Sequence, residues 1–260
     1  MAANDSLSPD EQNPSELLDL SNRVVVVTGA NGGIGSGIAH RFSRAGASVV
    51  QHHRSGPPIE LPGPSVAIAA ELTAAGGPGA VVAATVEAFG RVDVLVNNAG
   101  IQTVAGFLEL GDYDWQTMVD NNLTAVHRLT RAVADQMVTQ GDGGAIVHIA
   151  SIEGSQPAPG HSHYAVTKAG LIMHARAAAL ELGAHDIRVN SVSPGLIGRP
   201  GLADAWPEGV ARWETAAPLG RLGDPTDVGD ACVFLCSPLA RWITGTNLVI
   251  DGGVSTHPTW

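Results

Sequence analysis

Short apolar runs bounded by glycine, asparagine or proline recur along the chain. Between them lie stretches with apolar residues at every third or fourth position. Arg23–Gly29, reading RVVVVTG, is a β-branched run ending in glycine, the pattern of a strand buried on both faces. A helical pattern follows over Ile34–Ala45, and Ala47–His52 reads as a second strand. Ser65–Ala70, Arg91–Gly100, Gly144–Ser151, Ile187–Gly195 and Thr246–Gly253 supply five more. Helices are predicted at Ala80–Phe89, Tyr113–Gln140, Tyr164–Leu182 and Thr226–Cys236. Strands alternating with helices imply βαβ units, and right-handed crossovers turn these into one doubly wound α/β domain. The expectation is a seven-stranded parallel sheet with helices on both faces, over residues 21–260. A polar, flexible extension is expected over 1–20. One crossover departs from the pattern: Arg54–Pro64 contains four prolines, so an irregular loop is expected where this fold places a helix.

Hydrophobic residues make up 44% of the chain and charged residues 15%, enough apolar material for a sizeable core. The net charge of −11 leaves no basic patch to neutralise phosphates, which argues against nucleic-acid and anionic-membrane partners. Cys232 and Cys236, the only cysteines, fall one helical turn apart in an apolar run and read as small buried hydrophobes. With no disulfide framework, no apolar leader and no bilayer-length run, a cytoplasmic protein is expected.

Two stretches carry chemistry. Thr28–Gly35, TGANGGIG, joins the first strand to the first helix. Gly29, Gly32, Gly33 and Gly35 permit a tight turn, with Asn31 and Ile34 between them. Free N–H groups and the helix dipole there favour an anion such as a nucleotide pyrophosphate. The second stretch, HSHYAVTKAG (His161–Gly170), holds one of the two tyrosines and the only lysine of a chain otherwise using arginine. Tyr164 and Lys168 fall one helical turn apart on a common face. Ser151 ends the fifth strand, and ligands bind at the carboxyl ends of strands in such sheets. A free tyrosine titrates near ~10, and an ammonium one turn away favours its phenolate. That suits Tyr164 to proton transfer at a carbonyl oxygen, with Ser151 orienting the oxygen.

Six motifs in register resemble the short-chain dehydrogenase/reductase family from about Leu20 to Gly253. They are the glycine turn spaced Gly29-x-x-x-Gly33-x-Gly35, NNAG at Asn97–Gly100, and Ser151 placed before Tyr164-x-x-x-Lys168. Pro194–Gly195, Pro218–Val228 and Ile243–Gly253 complete the set. The resemblance implies a Rossmann-type domain and hydride exchange between a nicotinamide dinucleotide and a secondary alcohol or ketone. Tyr164 would be the general acid/base, and Lys168 would also hold the nicotinamide ribose. It further implies Asn122 as a fourth catalytic member anchoring a water. Dinucleotide contacts are implied from Asn98, Ala99, Gly100, Pro194, Gly195 and Ile197, with Glu71 and Leu72 beside the adenine. Two positions depart from the family pattern: Glu71 replaces an aspartate, and Arg199 stands where a threonine is common.

The second strand ends without an acid, and Arg54 with Ser55 can instead receive a 2′-phosphate, so NADP is favoured over NAD. Glu153, Gln156, His161 and His163 are candidate substrate contacts by their proximity to Ser151 and Tyr164. The segment 198–217 is expected to form a lid, in which Trp206 and Trp213 either suit an apolar or ring-bearing substrate or pack the lid against the body. No carboxylate or cysteine cluster accompanies the histidine pairs, so no metal is expected. The rivals are an NAD-dependent alcohol or sugar dehydrogenase, a 3-oxoacyl thioester reductase and a non-catalytic NADP-binding regulator. The family's pairing through its long helices implies a homodimer or homotetramer acting on a small-molecule carbonyl or alcohol.

Overall fold

The computed structural model describes Asn13 and residues 16–256. Most of the 1–20 extension lies outside the described residues. Its last residue, Leu20, is buried, and its N–H donates to the Ala45 carbonyl at 2.7 Å. The strands are β1 Val24–Thr28, β2 Ser48–His53, β3 Ser65–Ala69, β4 Val94–Asn97, β5 Gly144–Ile149, β6 Ile187–Pro194 and β7 Asn247–Ile250. All pairings are parallel, in the order β3-β2-β1-β4-β5-β6-β7. The doubly wound sheet expected from the alternating pattern is therefore present. Strand order reverses between β1 and β4, the position at which open α/β sheets leave a crevice beyond their carboxyl ends.

Helices cover both faces: α1 Gly33–Arg44, α2 Gly77–Phe89, α3 Asp112–Val119, α4 Ala125–Gln140, α5 Ser162–Leu182, α6 Leu202–Ala205, α7 Pro207–Ala216 and α8 Pro225–Cys236. On one face α1 and α8 cross so closely that a Cβ on Gly37 would lie 2.4 Å from the Pro225 carbonyl carbon. Asp224 caps α8 in a reciprocal box, accepting from Thr226 N–H while Asp227 accepts from Asp224 N–H. On the other face, Val81 of α2, Leu129 and Val133 of α4, and Ala175 and Ala179 of α5 pack on β1, β4 and β5. No described helix is long and apolar enough to cross a membrane.

Two segments differ from regular βαβ geometry. Residues 54–64 form no helix, as their prolines require, and the loop is fastened by side chains. Gln51 bonds both the N–H and the C=O of Ile59, at 3.0 and 3.1 Å, and Ser43 Oγ accepts from Gly63 N–H. The helix expected over Tyr113–Gln140 is broken by a π-helical turn at Asp120–Thr124, closed by the Ala125 N–H to Asp120 C=O bond. Such single wide turns inside α-helices often mark functional positions, and this one contains Asn122.

A line of histidines links the sheet to the α4–α5 surface. His148 of β5, fully buried, places Nε2 3.0 Å from His174 Nδ1, whose Nε2 lies 3.1 Å from Nδ1 of exposed His127. At the inner end His148 Nδ1 meets the Asn97 amide at 3.1 Å. Burial, reinforced by His174 and Lys168, pushes His148 down to about 3. An unfolded histidine titrates near ~6.5, so below that pH the unfolded chain binds a proton that folded His148 refuses. The folded state consequently loses about 1.4 kcal/mol per pH unit from this group as pH falls from about 6.5 towards 3. Urea unfolding at pH 7 and pH 5 should show a loss of about 2 kcal/mol from His148. In His148→Gln the acid limb should be correspondingly shallower.

Candidate active site

The β1–α1 turn is held by close packing. Gly29 has φ +64°, and a Cβ on Gly35 would lie 2.0 Å from the Gly29 carbonyl oxygen and 2.7 Å from Asn98 Nδ2. Only glycine allows this approach. Asn98 Nδ2 donates to the Thr28 carbonyl at 2.8 Å. Thr28 Oγ1 accepts from the N–H groups of Asn98 and Ala99, at 2.8 and 2.9 Å. His52 closes the base: its Nδ1 accepts from Gly29 N–H at 3.4 Å, and Nε2 meets the Ala70 carbonyl at 3.1 Å. Desolvation lowers the His52 pKa, consistent with a neutral ring in that role.

Above the turn lies a cleft of about 360 Å³, lined by Gly29, Asn31, Gly32, Gly33, Ile34 and Gly35. Arg54, Ser55, Glu71, Leu72, Asn98, Ala99 and Gly100 also line it. The first helix opens into it without a side-chain cap, unlike α8, so the first-turn N–H groups of α1 have no intrahelical acceptor. This cradle fits a dinucleotide pyrophosphate on chemical grounds. Asn31 Nδ2 donates to the carbonyls of Ser55 and Pro57, at 2.7 and 3.2 Å, which draws the proline-rich loop over the turn and brings Arg54 to the cleft. Glu71 faces the same end; Thr73 N–H and Oγ1 both donate to its carboxylate, which holds its pKa below the usual range.

The cleft runs into a second hollow of about 190 Å³ through Ile34, Asn98, Gly100 and Ile101, shared by both. Its walls include Ser151, Tyr164, Lys168, Pro194 and Gly195. β5 ends just before Ser151, whose Oγ accepts from Glu153 N–H at 3.1 Å and so starts a short 3₁₀ turn. Tyr164 and Lys168 occupy the first turns of α5. Ser151 and Tyr164 line this hollow together with Lys168. Burial and the Glu153 carboxylate push Tyr164 up to about 12, and Ser151 acts the other way.

Lys168, only 6% exposed, donates to the Ile149 carbonyl at 2.7 Å and lies 5.4 Å from the Tyr164 ring centroid. Desolvation pulls it down to about 8. The lysine lies beside the tyrosine as the sequence spacing requires. In this protein alone, however, burial of the phenol outweighs it, and the phenolate is not favoured.

Asn122 is buried, and its amide grips the backbone of Ile101 on both sides of its Cα: Oδ1 accepts from Ile101 N–H and Nδ2 donates to Ile101 C=O, each at 2.8 Å. The π turn thus fixes the loop after Gly100. Neighbouring Asn121 donates to Thr117 C=O and lines the cleft.

The remaining candidates divide. His161 stands beside Tyr164, with ring centroids 6.2 Å apart and Nδ1 2.8 Å from Glu153 Oε2. His163 turns inward, 1% exposed, its Nε2 2.8 Å from Thr103 Oγ1. Gln156 Nε2 reaches the Ser255 carbonyl at 3.4 Å. Ile197 bridges to Gly223 and packs on the core rather than lining the hollow. Of the 198–217 segment, Trp206 lies over Gly209 with the Arg212 guanidinium 6.0 Å from its ring, and it lines neither cavity. Trp213 reaches nearer: a Cβ on Gly195 would fall 2.7 Å from its Cζ2. Sequence reasoning overlooked His52, Ile101 and Gln102, which carry no motif and enter the site only through the path of the loops. Among the described residues, no group of three or more His, Cys, Asp or Glu side chains could hold a metal.

A family model described as Enoyl-(Acyl carrier protein) reductase matches residues 29–255. L-rhamnose 1-dehydrogenase (NAD(P)(+)) of Azotobacter vinelandii is 40% identical over 253 residues, covering 90% of this chain and 97% of that protein. The chain belongs to the short-chain dehydrogenase/reductase family. This family assignment makes it an oxidoreductase, and other members are similarly close. 3beta-hydroxysteroid dehydrogenase 1 of Eggerthella lenta is 34% identical, covering 92% of this chain and 96% of that protein. The crystal structure of a short-chain type dehydrogenase/reductase from Mycobacterium marinum superimposes with a TM-score of 0.87 at 34% identity. That match covers 93% of this chain and 99% of the other.

The glycine turn generates a paired prediction. Gly35→Ala should force Gly29 and Asn98 apart and lower the melting temperature. Gly33→Ala, whose Cβ would meet nothing nearer than Arg199 Cβ at 4.0 Å, should leave it within about 2 °C of wild type. Thermal unfolding followed by circular dichroism distinguishes the two.

Proposed function

We propose that the protein interconverts a secondary alcohol and its ketone, with NADP as the favoured dinucleotide. The observation that carries this reading is the convergence of Ser151, Tyr164 and Lys168 on one hollow, at one end of a groove whose other end is the uncapped glycine turn. When bound, the oxidised dinucleotide would accept the hydride and add positive charge beside Tyr164. Tyr164 Oη would take the alcohol proton or return it to the carbonyl oxygen. Ser151 Oγ holds that oxygen in line, and Lys168, fixed on the Ile149 carbonyl, supplies the cation that offsets the phenolate. Asn122 keeps the loop between groove and hollow in place through Ile101. A sensor without turnover would need none of this set, which weighs against the regulator.

Arg54 and Ser55, drawn to the cleft by Asn31, support NADP, because a guanidinium pairs well with a 2′-phosphate. NAD is the alternative, and Glu71 in the same cleft adds a carboxylate that a 2′-phosphate would meet. The similar L-rhamnose 1-dehydrogenase bears NAD(P)(+) in its name. Self-association through α4 and α5 fits the exposed Val166, Met173 and Leu180, spaced by sevens along α5.

With NADP and a panel of secondary alcohols, Tyr164→Phe should lower kcat/KM by roughly 10²–10⁴, the range for removing a general acid/base. Equal turnover by both proteins would remove Tyr164 from the reaction. Arg54→Ala should weaken NADP binding by roughly tenfold and NAD by less than about twofold, as read by fluorescence titration. Equal loss for both dinucleotides would point to NAD.

A further inference from the structure

The wall beside the reacting hydroxyls is polar in a way that the chemistry at Tyr164 does not use. Glu153 follows Ser151 by two residues, and His161 precedes Tyr164 by three. Their side chains meet beside the hollow, next to Tyr164 and Gln102 of its lining, with His161 Nδ1 2.8 Å from Glu153 Oε2. Each side chain is 18% exposed, so the pair is largely withdrawn from water. A ring nitrogen so close to a carboxylate carries a proton and donates it to Oε2. Glu153 Oε1 is a second acceptor, taking no hydrogen bond among the described residues. Gln102 lines the hollow and brings its Nε2 within 3.5 Å of the same histidine nitrogen, so an amide donor stands beside the pair. The pair is also tied to the reacting group. The His161 ring meets the Tyr164 ring edge-on at 6.2 Å, and the Glu153 carboxylate raises the Tyr164 pKa.

A hydrocarbon substituent laid on this wall would strip water from a carboxylate and an imidazole and return no hydrogen bond. A hydroxyl on the carbon next to the reacting one would donate to Glu153 Oε1 and accept from Gln102. Sites built to hydrogen-bond a substrate hydroxyl reject analogues that lack it, because their own polar groups are then left unpaired. We infer that the Glu153–His161 pair, with Gln102, selects alcohols that carry a second hydroxyl beside the reacting carbinol, that is, vicinal diols and cyclic polyols. The inference rests on the alcohol–ketone reading above and names the substrate class of that site.

The test compares cis- and trans-cyclohexane-1,2-diol with cyclohexanol on wild type, Glu153→Ala and His161→Phe. Turnover is followed by nicotinamide absorbance with both dinucleotides. Binding to the protein–dinucleotide complex is followed separately by ligand-observed NMR. Wild type should prefer at least one diol by roughly tenfold to a hundredfold in kcat/KM, the scale of one hydrogen bond to a charged group. The preference should appear mainly in KM and fall towards unity in both variants, with melting temperature and dinucleotide affinity serving as folding controls. Turnover without a diol preference, or a preference that survives in both variants, overturns the inference and leaves the redox reading intact. Diol-selective, Glu153-dependent binding without turnover supports the inference and overturns the redox reading. Absence of diol-selective binding overturns the inference whether or not turnover is seen.

Discussion

Everything in the groove depends on a contact in which a side chain has no room. At Gly35 the first turn of α1 presses on the Gly29 carbonyl, and Asn98 and Thr28 lace the same backbone to the end of β4. The polar groups of that knot are paired with one another, so it can be buried without leaving donors stranded. Because it is rigid, the helix enters at one fixed angle. Its free N–H groups then open onto the crevice formed where the strand order reverses.

The candidate catalytic corner is assembled differently, from three segments distant in sequence. The end of β5 supplies Ser151, the start of α5 supplies Tyr164 and Lys168, and the π turn supplies Asn122. Lys168 is the costly element, because a cation withdrawn from water lowers its own pKa. A single strand carbonyl offsets part of that cost. The tyrosine meets the same difficulty with opposite sign: burial disfavours its phenolate. Two groups whose charged forms are each disfavoured alone stabilise one another only when both ionise, which couples proton loss from the phenol to the positive charge around it.

The strands were legible because β-branched runs such as RVVVVTG and GAIVHIAS have no other good use, and the glycine and Tyr-x-x-x-Lys spacings follow from backbone geometry. The π turn was not legible: its one extra residue leaves the apolar periodicity of Tyr113–Gln140 almost undisturbed. Loops hid more. His163 and Ile197 sit beside motif residues in sequence, yet the chain turns their side chains into packing contacts. The Glu153–His161 pair and the His148–His174–His127 line join residues across elements, and no one-dimensional period reports such meetings. The reach of Arg54 into the cleft likewise depends on Asn31, which holds a proline-rich loop that no pattern could place.

The single lysine has a last consequence, for chemistry done to the protein rather than by it. Every other basic side chain of the lysine–arginine class is arginine, so Lys168 is the only side-chain primary amine in the chain, and it is 6% exposed beneath Tyr164. Acylating or reductively alkylating reagents therefore find no side-chain amine on the described surface. Acylation of Lys168 by such a reagent would report the opening of one specific place. The residue that marks the site in the sequence thus also makes it a built-in chemical probe of the site's breathing.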